Sequence, residues 1–193
     1  MGRFSEAVID WSPFSICPPG EKAPSLRSLG TKEGLADRLR IVAFAEKQAT
    51  HAFSMAADIY EGEVSPAVQK IWRTIAGEEE KHLHWLLLRT EELGFDPKER
   101  PQSLALWNSF DHCITPQKFA EFMANAEERG RAAGEQFYET LLKVDLTTAR
   151  LFKQIALEES EHIRLAGAIL EYNFQIPDDF KFEVEGLPRE TRF

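Results

Sequence analysis

Two short runs in this sequence set a carboxylate and an imidazole three residues apart: Glu79-Glu80-Lys81-His82 and Glu159-Ser160-Glu161-His162. On an α-helix, residues three apart are neighbours on one face, so each Glu-x-x-His pair can reach a single ion. With 24 glutamates and 5 histidines in 193 residues, chance supplies about 0.6 such pairs, so one alone would carry little weight. The second arrives with its surroundings. Ile75, Ala76, Glu78, Glu79 and His82 recur as Ile155, Ala156, Glu158, Glu159 and His162, each displaced by 80 residues. Self-similarity at a fixed spacing marks a duplicated structural unit.

A duplication predicts equivalent carboxylates on the partner helices. Glu46 shares an apolar stripe with Val42, Ala49 and Phe53, and a charge on such a stripe calls for a reason. Ala45-Glu46 is answered 81 residues later by Ala126-Glu127, with Met123 standing for Val42 and Gly130 for Ala49. Glu127 is therefore preferred to Glu128. At about 100° per residue Glu128 points nearly opposite the stripe of Phe119, Met123, Ala126, Ala133 and Phe137, while Glu127 lies at its edge.

The candidate ligand set is Glu46, Glu79, His82, Glu127, Glu159 and His162, with no catalytic residue expected beyond it. Four converging carboxylates could not all stay ionised alone, and two divalent cations cancel their charge. Oxygen and nitrogen donors suit Fe²⁺ or Mn²⁺, and no thiolate points to zinc. The competing reading makes the two acidic runs solvated helix faces with ion pairs one turn apart. The 80-residue echo and the two stripe-facing glutamates weigh against it. Glu78, Glu80, Glu158 and Glu161 fit a surface or supporting role, and His51, His84 and His112 a structural or exposed one.

Four amphipathic helices must position these groups. Apolar residues Leu35, Leu39, Val42, Ala45, Ala49, Phe53, Ala56 and Tyr60 recur at three and four, predicting a helix from Thr31 to about Glu61. Ser65-Pro66 is a cap followed by proline at the first helical position, opening a second helix that runs to Leu93 before Gly94. Pro97 and Pro101 break the pattern across 95–114, with a helical turn expected around Leu104 to Phe110. Thr115-Pro116 opens a third helix along Phe119, Met123, Ala126, Ala133, Phe137, Leu141 and Val144. Thr147 or Thr148 is expected to cap a fourth, which reaches about Tyr172 ahead of Pro177. Two tight helical hairpins joined by one long crossover make an all-α, ferritin-like four-helix bundle. The expected organisation is a proline-rich arm over 1–30 with Pro13, Pro18, Pro19 and Pro24, the bundle over 31–174, and a tail over 175–193. Trp11, Phe14 and Ile16 make the arm adhesive, to the chain's own core or to a second subunit.

A net charge of −9 repels phosphate backbones, so nucleic acid is not expected as a partner. No apolar run is long enough to span a bilayer, the N-terminus lacks a secretory stretch, and Glu6 stands where a myristoylation signal wants Ser or Thr. Cys17 and Cys113 form neither a Cys-x-x-Cys nor a disulfide framework. A cytoplasmic protein without membrane contact is expected.

Over roughly residues 35–173, the paired Glu-x-x-His motifs in a duplicated hairpin resemble the ferritin-like di-iron carboxylate superfamily, most of all its rubrerythrin branch. The resemblance implies Glu46 and His82 as terminal ligands of one iron, Glu127 and His162 of the other, and Glu79 and Glu159 as bridges. Rubrerythrins proper carry a second carboxylate where this chain has Gly130, a tyrosine where it has Phe53, and a Cys-x-x-Cys rubredoxin domain. The expected function is a di-iron oxidoreductase, a ferroxidase or peroxide reductase taking O₂ or H₂O₂, served by an external electron donor and assembled as a homodimer. An iron-storage protein and a di-iron substrate hydroxylase are the alternatives.

Overall fold

The computed structural model describes residues 3–4 and 8–177. Met1 and Gly2, Glu6 and most of the expected tail lie outside the described residues. Five helices follow in order: α1 over Lys32–Ile59, α2 over Pro66–Glu92, α3 over Ala105–Ser109, α4 over Pro116–Leu141 and α5 over Leu146–Glu171. No strand occurs among the described residues, and the chain is all-α. No helix among them is long and apolar enough to cross a membrane.

Local chemistry sets the boundaries. Ser65 Oγ accepts from the Val68 N–H at 3.4 Å ahead of Pro66, and Thr115 Oγ1 accepts from Lys118 at 3.2 Å ahead of Pro116. Helix α2 closes with Gly94 at φ +81°, the Phe95 N–H reaching the Thr90 carbonyl at 3.1 Å and the Gly94 N–H that of Glu91 at 2.8 Å. This left-handed closure satisfies carbonyls that the helix leaves open. Two expectations need correction. Neither Thr147 nor Thr148 caps α5; Asp145 does, accepting from the Thr148 N–H at 2.8 Å. Helix α4 accordingly ends at Leu141, and Val144, counted on its stripe, is 57% exposed.

The chain packs as two compact units, residues 1–55 with 74–114, and residues 56–73 with 115–193. In the first, the proline-rich arm lies on its own chain. Phe14 and Trp11 pack on Phe44 at ring separations of 5.1 and 5.5 Å, and Trp11 also meets His51 and Trp107. Backbone bonds from Cys17 to Gln102 at 2.9 Å and from Gln102 to Ser15 at 2.8 Å stitch the arm to the crossover. Beneath them, the carboxylate of Asp37 accepts from Arg27 and from the fully buried Arg40. Arg100 lies 3.4 Å from the same carboxylate, and Glu99 takes both Arg27 and Arg40. The arm and the crossover explain why Phe44 and Gln48 are buried although they lie off the predicted stripe.

In the second unit, the rings of Tyr60, Trp72 and Phe119 meet at 5.3–6.1 Å, and Phe137 packs on Phe152 at 4.9 Å. Helices α4 and α5 approach closely at Gly134. A Cβ there would stand 3.2 Å from both the Ala156 Cβ and the Phe152 carbonyl oxygen, whereas one at Gly130 would meet nothing within 4 Å. Gly130→Ala should thus raise stability by about 0.5–1 kcal/mol through helix propensity. Gly134→Ala should lower it by about 1–3 kcal/mol, because a backbone must yield to the new methyl. Urea midpoints of the two variants check the opposite signs.

Candidate metal centre

Glu46 lies in α1, Glu79 and His82 in α2, Glu127 in α4, and Glu159 and His162 in α5. All six are buried, from 0% exposed at Glu79 and His82 to 7% at Glu46 and Glu127. The i, i+3 spacing does what a helix requires of it. His162 Nδ1 stands 3.2 Å from Glu159 Oε2, and His82 Nδ1 stands 3.7 Å from Glu79 Oε2. Ligand atoms of Glu46, Glu79, His82 and Glu159 all lie within 4.8 Å of one another, as do those of Glu79, Glu127, Glu159 and His162. Glu79 and Glu159 therefore belong to both groups.

Of the two neighbouring candidates in α4, Glu127 is the buried one. Glu128 is exposed and accepts from Arg131 at 2.7 and 2.8 Å, a hydrogen bond that holds its carboxyl below the ordinary range. Glu135 takes the same arginine at 3.0 Å. Glu78 and Glu158 are half-buried, Glu80 is exposed, and Glu161 pairs with Arg164. His84 and His112 are exposed. His51 is half-buried against Trp11, and burial lowers its pKa, with Lys47 adding to the effect.

One neighbour escapes sequence reasoning. The Trp85 ring packs against the His82 ring at 5.7 Å, with the Lys81 ammonium 5.0 Å from the indole centroid. Its spacing from His82, one helical turn, is the signal that could have found it.

The donor set suits a pair of divalent cations. It offers four carboxylates and two imidazoles with no thiolate, the preference of iron or manganese. Two divalent charges match the four negative ones, which are too close to stay ionised uncompensated.

The family model for rubrerythrin matches residues 37–170, a span holding all six residues. The chain belongs to the rubrerythrin family. No curated protein matched the chain. Rubrerythrins are ferritin-like di-iron proteins, and the helical order here is consistent with that bundle. Family and cluster together indicate a di-metal site. Of the rubrerythrin positions where this chain departs, Gly130 is exposed and Phe53 is buried, 4% exposed.

Proposed function

We propose that the chain is a di-iron oxidoreductase that reduces O₂ or H₂O₂ and is returned to its starting state by an external electron donor. The observation carrying this reading is the pair of overlapping buried donor groups joined at Glu79 and Glu159. Glu46 and His82 would hold one ion, Glu127 and His162 the other, with Glu79 and Glu159 between them. When bound, the ions would supply the two electrons that dioxygen or peroxide takes up.

The chain's own residues set the conditions. Exposures of 0–7% at all six positions favour a small oxidant over a bulky organic substrate. Buried Ala49, Phe53, Ile75 and Ala76, together with Ile155 and Ala156, are apolar neighbours in sequence of the six and leave water few partners. Neither Cys17 nor Cys113 is disulfide-bonded, which supports a reducing compartment. Anaerobic iron-loaded protein mixed with peroxide is expected to oxidise its iron faster than ferrous ion free in buffer. Equal rates would end this reading.

A further inference from the structure

We propose that Trp85 is the residue through which electrons from a one-electron carrier protein enter the metal centre. The proposal rests on the di-iron reading above. A centre buried to this degree is closed to a macromolecular donor, so electrons must cross a layer of protein. The side chain of His82 is completely buried, whereas Trp85, one turn along α2, is partly exposed and touches the His82 ring at 5.7 Å. Two π systems in contact then lead from the surface to a candidate ligand, a path that aliphatic packing would not supply.

Lys81 gives the path its polarity. Its ammonium 5.0 Å from the indole centroid is attracted to the π face and opposes removal of an electron from the ring. Trp85 can thus relay electrons inward without itself being left oxidised when peroxide is present. The same charge favours an acidic carrier at this spot. In each transfer the donor, an iron–sulfur protein, would give up one electron as its iron passes from ferrous to ferric, and the ion held beside His82 would take that electron up. Two transfers restore the pair, and no bond is made or broken in the relay.

The test compares iron-loaded wild type with Trp85→Leu, which removes the ring, and Trp85→Phe, which keeps a smaller one. Reduced rubredoxin added in trans is the protein donor and dithionite the small one. The expected result is that rubredoxin reduces Trp85→Leu about tenfold more slowly or worse, and Trp85→Phe at an intermediate rate. Dithionite rates, iron content and midpoint potential should stay near wild type. In the apoprotein, Co²⁺ should quench tryptophan emission in wild type and distinctly less in Trp85→Phe.

Unchanged rubredoxin rates in either variant, or equal quenching, would overturn the proposal. So would parallel losses with both donors, or loss of iron, because Trp85 would then be a positioning residue for His82. If Trp85→Leu fails to fold, the Trp85→Phe rates decide. A wild type that binds iron and ignores peroxide sinks the proposed function instead, an outcome separate from any effect of Trp85.

Discussion

Glu79→Gln is expected to lower the metal content from two ions per chain to fewer than one, whereas Glu46→Gln should leave one. Glu79 belongs to both donor groups and Glu46 to one. Removing the shared carboxylate takes a ligand and a negative charge from both positions at once, while the isosteric amide preserves packing. The stability consequence has opposite signs in the two states. With metal at about 100 times its dissociation constant, binding stabilises the wild type by about 2.7 kcal/mol, a gain the variant forgoes. Without metal, the variant relieves repulsion among four crowded carboxylates, so it should melt at or above the wild-type temperature. Metal analysis after dialysis and paired melting curves with and without chelator check both halves. Two ions retained in Glu79→Gln would contradict the shared-ligand assignment.

Asp37→Asn should cost about 3 kcal/mol at neutral pH, among the largest losses expected from one substitution outside the metal cluster. Burial pushes the Asp37 carboxyl up, but the hydrogen bonds from Arg27 and the nearby Arg100 outweigh it and hold the pKa at about 2. A lowered folded-state pKa means stability that is present above the unfolded value near 4 and lost as pH falls through about 2. The shift alone corresponds to about 2.5 kcal/mol. The amide also leaves Arg40, whose side chain is 0% exposed, with only Glu99 as a carboxylate partner, itself 37% exposed, and stranding a buried charge of this kind costs about 3–5 kcal/mol. Denaturant titrations should show a wide gap between wild type and variant at pH 7 that narrows steadily as the pH falls from about 5 towards 2. A gap unaffected by acid would mean that packing, not charge, is what Asp37 supplies.

The centre was more legible in the sequence than the scaffold around it. Glu46, Glu79, Glu127 and Glu159 could be picked from 24 glutamates because each sits in a helical period and each has a counterpart in the repeat. The caps at Ser65 and Thr115 were readable because proline follows each directly. Asp145 is masked in the sequence because two threonines just after it offer the same capping chemistry. What remained hidden depends on residues distant in sequence. Phe44 and Gln48 of α1 are buried by an arm about thirty residues earlier and by the crossover some sixty residues later, so one helix carries two buried faces. Nothing in the sequence around Asp37 and Arg40 marks them as buried, because Arg27, Glu99 and Arg100 come to them only in the fold.

Helix α3 has five residues, and Leu104 at its start offers no side-chain cap. An isolated helix of that length would be transient in water. The Trp107 N–H, one of its unsatisfied first-turn donors, is instead taken by Gln48 Oε1 of α1 at 2.9 Å, while Gln48 Nε2 is anchored to the Phe44 carbonyl at 3.1 Å. The order of α3 is therefore borrowed from α1. In hydrogen-exchange terms, the amide of Trp107 belongs to the opening unit of the helix that carries Glu46, and it should not exchange with the fraying ends of the crossover.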